Sequence, residues 1–238
     1  MEFELSDDQV ALQEAARDLL DALADPAHVR AHLATGAGRD AALWDAMVAQ
    51  GWLGVAMTED AGGLGLGWVE AGVLLEEAGR HVAPVPLLGA LVSIEALRGT
   101  PWAEHLVLGA RQGCVAFAGD PRSVRASRDG QGWALTGRPD PVAGASTADV
   151  AVVLTPDAVW AVDLAAGRPA PEPAMDGTQS LSWLVLDGTP AVEVGGAGEA
   201  RRLLDHAAVG REHDRHLRGR RAGDGIGSAG EHPTGAVA

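Results

Sequence analysis

Residues 51–67 read GWLGVAMTEDAGGLGLG and place three glycines within the four positions 62–65. Glycine adopts positive φ without steric cost, but in regular structure each glycine costs about 0.5–1 kcal/mol relative to alanine. A stretch with this many glycines therefore needs a physical explanation. Two remain open: a tight turn between helices, or a backbone that lines a ligand pocket. A dinucleotide phosphate loop is disfavoured, because no strand precedes the glycines and Glu59-Asp60 would repel phosphate.

Helical patterns flank this loop on both sides. Upstream, Ser6-Asp7-Asp8-Gln9 is typical of a capping box, so a helix is predicted to begin there and to end near Pro26, which ends it or starts the next turn. Its apolar residues recur at three and four positions and predict one buried stripe. The same spacing predicts a helix over about 40–50, closed by Gly51, and three more over 68–82, 87–97 and 102–108.

The apolar period changes after Gly113. Apolar residues then alternate in the manner of half-buried strands, as at Val115 and Phe117, Trp133 and Leu135, and Val150, Val152 and Leu154. Asp-Gly and Thr-Gly pairs between these runs indicate turns, and further strands are predicted over 159–164 and 181–186. The pattern predicts an all-β unit, either a small barrel or a sandwich.

The predicted fold class is therefore α+β with two domains. We expect an all-α helical domain over residues 1–112 and a β domain over 113–195. A further helix begins in 196–210, as the start of a third, truncated helical domain. Residues 211–238 contain few large aliphatic side chains, too few to seal a buried face, and predict a disordered tail.

The composition limits the classes of partner that this chain could bind. The formal charge is −15, which disfavours nucleic acid and anionic membrane surfaces as partners. A phosphate-bearing ligand would need local arginines or backbone N–H groups, because the chain has no lysine. The single cysteine, Cys114, excludes an internal disulfide and suits a reducing cytoplasm. We expect no secretory leader, no membrane-spanning segment and no metal site.

The glycine stretch resembles the signature of the acyl-CoA dehydrogenase family. In that family a helix ends in a GWLGL-like stretch, a glycine-rich loop follows, and the next helix carries an LEELGR-like sequence. Here residues 51–67, the pair Val69-Glu70 and the run 75–80, LEEAGR, are similar to that signature in the same order. The β unit carries a weaker resemblance to the family's middle domain, through residues 132–138, 148–153 and 186–191.

The resemblance implies a flavoprotein oxidoreductase that uses FAD to desaturate an acyl-CoA thioester at its α and β carbons, as in lipid or steroid side-chain catabolism. In the family a carboxylate base comes from a C-terminal helical domain, and this sequence ends before that domain. Glu76 and Glu77 match ordinary helix positions and are expected on a solvated face or paired with Arg80. We therefore assign no catalytic residue.

Two sets of binding residues follow from the resemblance. The strands that would contact the flavin correspond here to regions without the usual polar side chains, so backbone contacts at Phe117, Ala118 and Val142 are the expected cofactor-binding groups. The alternative is that these residues only fill the interior of the β unit. The loop residues Gly62, Gly63 and Leu64 are the expected lining of the substrate pocket.

The last residues allow two hypotheses. The arginine, glycine, histidine and proline after Gly210 are typical of a GC-rich gene read out of frame, which indicates a frameshift; the alternative is a native short subunit with a basic tail. Two functions are therefore considered. The chain is either a truncated acyl-CoA dehydrogenase-like protein that is inactive alone, or a non-catalytic subunit that pairs with a complete acyl-CoA dehydrogenase chain.

Overall fold

The computed structural model describes residues 4–120, 122–130 and 132–203. Within them the chain begins with helices and continues with strands, which confirms the predicted α+β class. The helices are α1 Asp7–Leu23, α2 Pro26–Thr35, α3 Ala41–Ala49, α4 Trp68–Arg80, α5 Leu87–Ala96 and α6 Pro101–Val107, with short 3₁₀ turns at Trp52–Gly54 and Glu59–Ala61.

Side-chain caps fix where the first helices begin. The predicted capping box is confirmed: Ser6 Oγ accepts from the Gln9 N–H at 3.3 Å, and Gln9 Oε1 accepts from the Ser6 N–H at 3.0 Å. Helix α2 was not predicted as a helix of its own. Asp25 caps it by accepting from the N–H groups of Ala27 and His28, and Pro26 occupies its first turn, where a missing N–H costs nothing.

A buried core joins the helices. Its largest fully buried side chains include Leu20 of α1, three side chains of α3 and Leu74 of α4. Helices α1 and α4 pack against each other. Burial on this scale stabilises each large aliphatic side chain by about 1.5–3 kcal/mol relative to exposure. The apolar spacing used to predict these helices therefore corresponds to the faces that are buried.

The strands form one large and one small sheet. They are β1 Gly113–Phe117, β2 Val124–Asp129, β3 Gly132–Gly137, β4 Val142–Ala143, β5 Val150–Leu154, β6 Ala158–Asp163, β7 Leu181–Ser182 and β8 Leu186–Gly196. The larger sheet has the order β1-β5-β6-β8-β3-β2, and β4 pairs with β7. The predicted strand over 181–186 is divided between β7 and β8.

The barrel alternative was wrong. Strands β1 and β2 lie at the two edges of the described six-stranded sheet, which does not close on itself. The sheet is also mixed: β1 runs parallel to β5, while β5, β6, β8, β3 and β2 pair antiparallel along the sheet. A parallel pair needs a crossover, and here the intervening β2, β3 and β4 provide it.

The sheet has a different apolar cluster on each face. Val115, Val152 and Leu154 face the helices and share one core with α5. Their strand neighbours Cys114 and Val153 face the opposite way, into a second core that also holds Val142. The change from helix to strand falls between Val107 and Gly113, but the described helices and sheet share an apolar core across that point. The exact domain bounds stay a prediction.

The chain becomes helical again over residues 197–203. This is where the predicted C-terminal helix begins, and the remainder of that helix and the predicted tail over 211–238 lie outside the described residues. No helix within the described ranges is both long and apolar enough to cross a membrane.

Candidate functional site

The glycine loop folds back onto the preceding 3₁₀ turn through backbone hydrogen bonds. The Gly63 N–H donates to Thr58 O at 2.9 Å, the Leu64 N–H to Gly54 O at 2.9 Å, and the Gly65 N–H to Met57 O at 2.8 Å. Gly62 ends the second 3₁₀ turn with a φ of 80°, the left-handed conformation that glycine adopts most readily.

Close packing explains why Gly63 lacks a side chain. A Cβ atom at Gly63 would lie only 2.5 Å from the carbonyl carbon of Met57, and a Cβ at Gly54 would lie 3.0 Å from the Cα of Gly63. Two backbone segments therefore approach so closely that glycine is required at Gly63. The tight-turn explanation accounts for this glycine without a ligand, and the substrate-pocket role of Gly62, Gly63 and Leu64 stays a prediction.

The loop leads into a group of exposed apolar side chains, the loop patch. It consists of Leu64, Leu66, Trp68 and Val69, whose exposed fractions run from 43% to 60%. Scattered single apolar residues on a surface need no explanation, but four within six positions form a contiguous segment. The patch is the apolar surface that adjoins the predicted substrate-pocket residues.

The predicted flavin residues meet at one corner of the sheet. Phe117 and Ala118 lie at and just after the end of β1, which contacts β4, the strand that holds Val142. The Asp140 N–H donates to Phe117 O at 2.9 Å and so joins the two segments directly. The Asp140 side chain, which was not among the predicted binding residues, is exposed and lies against Gly119.

Two of the N–H donors at this corner are already used within the chain. The Ala118 N–H already donates to Leu154 O at 3.0 Å, and the Asp140 N–H is used by Phe117. The Val142 side chain is 1% exposed and packs into the core, and its strand pairs with β7. Carbonyl oxygens accept more than one hydrogen bond, but they do not replace the N–H donors that a flavin's ring oxygens need. FAD contacts at Phe117, Ala118 and Val142 stay a prediction.

Four glutamates of the helical region, Glu70, Glu76, Glu77 and Glu95, have hydrogen-bond or ion-pair partners within the chain. Glu77 has no exposed side-chain surface and is paired with Arg17, while Glu76 lies 2.5 Å from Arg80. A hydrogen bond from Gln9 lowers the pKa of Glu70. Glu95 pairs with Arg98 at 2.6 Å. A catalytic base removes a proton from substrate within hydrogen-bond reach in a dry site, and none of these groups is assigned that role.

The N-terminal part of the chain matches a family model. Residues 6–98 match the model described as acyl-CoA dehydrogenase, N-terminal domain. Among curated proteins, the chain is similar to acyl-CoA dehydrogenase IpdE2 of Mycolicibacterium smegmatis, with 27% identity over 209 residues. That alignment covers 86% of this chain and 58% of the relative.

Solved structures extend the similarity to the sheet. The Tcur3481-Tcur3483 steroid ACAD variant superposes with a TM-score of 0.74 and 31% identity, over 83% of this chain and 59% of that one. The ChsE4-ChsE5 complex from Mycobacterium tuberculosis gives a TM-score of 0.76 and 28% identity, over 85% and 61%.

The chain thus spans about 60% of the length of the relatives it matches. The matched residues include the capping box and the glycine loop, and the superpositions cover most of the helices and strands described above. Residues 6–98 thus carry an acyl-CoA dehydrogenase N-terminal domain, and the similarity to acyl-CoA dehydrogenases continues through the strands that follow it.

Proposed function

We propose that this chain supplies the helical and β parts of a flavin-dependent acyl-CoA dehydrogenase and does not complete the reaction alone. The ancestral reaction is α,β-desaturation of an acyl-CoA thioester. One observation carries the proposal: Glu77, the buried glutamate of the helical region, is held in an ion pair with Arg17 and is not available as a base. A base for the α proton would have to come from residues beyond the described ones or from another chain.

The flavin corner supports the same proposal. The N–H donors of Ala118 and Asp140 are already bonded within the chain, so FAD would gain few of the contacts that fix its ring. Tight flavin binding would then need contacts from elsewhere. As for the substrate, the Tcur3481-Tcur3483 protein is described as a steroid ACAD, and we propose an acyl-CoA of lipid or steroid side-chain catabolism.

A second candidate is a non-catalytic subunit that pairs with a complete acyl-CoA dehydrogenase chain. Two observations favour it. The ChsE4-ChsE5 structure is a complex of two proteins, and this chain superposes on it with a TM-score of 0.76. The loop patch also exposes contiguous apolar side chains that a partner would remove from water.

The first experiment asks whether the chain binds flavin and turns over by itself. The purified 238-residue protein would be passed through gel filtration with excess FAD, its visible absorption recorded, and acyl-CoA oxidation followed with a dye acceptor. We expect no retained flavin band and no turnover. A stoichiometric band together with turnover would contradict the proposal.

The second experiment separates the two candidates. The chain would be co-expressed with a complete acyl-CoA dehydrogenase chain from the same genome, and co-purification measured. Co-purification that is lost in Leu66→Ser, but kept in Leu88→Ser, would favour the subunit. Both leucines are exposed, at 48% and 60%, and Leu88 lies on α5 outside the loop patch. If nothing co-purifies with the chain, and if another reading frame downstream encodes a long helical sequence, the truncated enzyme is favoured.

A further inference from the structure

A polar cleft lies between the helical region and the sheet. Its walls are three chain connections, residues 37–41 before α3, 109–112 before β1 and 146–149 before β5, together with Arg168 beyond β6. Its volume is about 400 Å³. That volume is in the range of small-molecule sites, roughly 300–1,000 Å³. We call it the arginine cleft, after Arg39, Arg111 and Arg168.

Arg39 brings a positive charge into this cleft without a matching carboxylate. Its guanidinium is half-buried, donates to Gln112 Oε1 and lies 4.9 Å from the centre of the Trp44 ring. Among the described residues no carboxylate oxygen lies within 4.0 Å of Arg39, although Asp45 and Asp149 act on it from farther away. Burial lowers the pKa of Arg39, which nonetheless stays charged at neutral pH.

Gln112 holds this arginine in position. Gln112 is 2% exposed, and its Nε2 donates to Thr147 Oγ1 at 2.8 Å and to Gly144 O at 3.2 Å. Its backbone N–H donates to Asp149 Oδ2 at 2.8 Å. The amide oxygen that receives Arg39 is therefore fixed by groups on one connection of the sheet, between β4 and β5. A charge held this way needs little reorganisation to meet a ligand.

The other charges in the cleft leave an excess of positive charge. Arg168 bonds Ala148 O at 2.9 Å through its Nε and also pairs with Asp149, while Arg111 lies 3.6 Å from Asp163. Arg111 and Arg168 thus each have a carboxylate partner, and Arg39 is the arginine of the lining that has none within 4.0 Å among the described residues. This local excess occurs in a chain with a formal charge of −15.

We propose that the arginine cleft binds a small molecule that carries a phosphate monoester. Guanidinium groups form bidentate, charge-assisted hydrogen bonds with phosphate oxygens. The cleft volume leaves room for an organic group beyond the phosphate itself. Arg39 is the central contact, because its charge has no carboxylate partner of its own.

This site is distinct from the flavin corner. Gln112 immediately precedes β1, whereas Phe117 ends it, and a strand rise of about 3.3 Å per residue puts those ends of β1 roughly 13 Å apart. The inference does not rest on the proposed function. Failure of acyl-CoA oxidation would leave it standing.

The test is calorimetric titration of the 238-residue chain with inorganic phosphate, with adenosine monophosphate and with citrate, at constant ionic strength set by chloride. We expect saturable binding that is tightest for adenosine monophosphate. Arg39→Gln should weaken it by at least about tenfold, the usual effect of losing a charge-assisted hydrogen bond. Arg30→Gln on α2, an exposed position outside the cleft, should stay within about twofold of the unchanged protein.

Arg168→Gln keeps the test decisive if Arg39→Gln fails to fold, as judged by circular dichroism. Its side chain is 44% exposed, and its loss leaves Asp149 uncompensated in the lining, so binding should again fall by at least about tenfold. Absence of saturable binding, equal affinity for citrate, or an equal loss in Arg30→Gln would overturn the proposal. If inorganic phosphate bound but adenosine monophosphate did not, the claim that the ligand carries an organic group would be overturned.

Discussion

Arg17 Nη2 on α1 lies 3.1 Å from Oε1 of Glu77 on α4, and the Glu77 side chain has no exposed surface. Arg80 approaches the same Oε1 to 3.5 Å from one turn further along α4. A carboxylate is tolerated at such a position only when it is paired. The two arginines are about half-exposed, so the ion pair extends from the core to the surface. It fixes the packing of α1 against α4.

We predict that Glu77→Ala lowers the free energy of unfolding by about 2 kcal/mol or more, because it leaves a cavity and removes the carboxylate that joins α1 to α4. Glu76→Ala is the matched control on the same helix. Its pair with Arg80 is more than half-exposed, and its loss should cost no more than about 0.5 kcal/mol. Urea unfolding measures both. Equal costs would show that the buried pair adds nothing.

We predict that Gly63→Ala destabilises the protein by about 2 kcal/mol or more, because a Cβ there would overlap the backbone of Met57. Gly72→Ala makes the same change within α4, where a Cβ meets no atom within 4 Å. Alanine favours the helix there, so this control should gain about 0.5–1 kcal/mol. Thermal unfolding of the two variants measures whether each change lowers or raises the stability. A stable Gly63→Ala protein would remove the packing explanation for the loop.

Acid should weaken the start of α3. Burial alone would raise the pKa of Asp40, but the hydrogen bonds from the Leu43 N–H and from His28 outweigh it and hold that pKa below its ordinary value. A lowered folded-state pKa stabilises the protein above the unfolded-state pKa, about 3.9. That contribution disappears as the pH falls through the folded-state value.

Asp40→Asn tests this contribution, because asparagine also caps helices but does not titrate. The variant should lose less stability than the unchanged protein when urea unfolding is repeated at successively lower pH below about 4. Parallel curves for the two proteins would mean that Asp40 does not contribute to the acid response.

The thiol of Cys114 should not react with alkylating reagents in the folded protein. It is fully buried, and burial raises the pKa of its thiol to about 12. The thiolate is the reactive form, so iodoacetamide at about pH 8 should leave the native chain unmodified. In urea the same reagent should modify the single cysteine completely, as mass spectrometry would show. Rapid labelling of the native chain would contradict its burial in the second core.

Local signals were sufficient for most helices. Ser6 and Gln9 form the predicted capping box, and the predicted helices over 40–50, 68–82, 87–97 and 102–108 occur with small shifts at their ends. Helix α2 was missed because only Val29 among its residues is buried, which leaves no apolar period to read. Strand β2 was missed for a similar reason: beyond Val124 its residues are all exposed.

Local sequence patterns do not specify which strands, or which side chains distant in sequence, come together in the fold. Alternation predicted the strands at Val115 and Val152, but it does not state their direction, so the parallel pairing of β1 with β5 and the open sheet were missed. The glycine loop indicated the family but not that backbone packing alone accounts for Gly63. The arginine cleft had no sequence signal, because Arg39, Gln112 and Arg168 come together only in the folded chain.

The core shared by α5 and the sheet has a consequence for cooperativity. Val115, Val152 and Leu154 pack in the same cluster as Leu91 and Ile94 of α5. Separating the two halves would hydrate both apolar faces at once, at about 25 cal/mol for each Å² exposed. We therefore expect the helices and the sheet of the described residues to unfold in a single thermal transition, without a separate midpoint for either half.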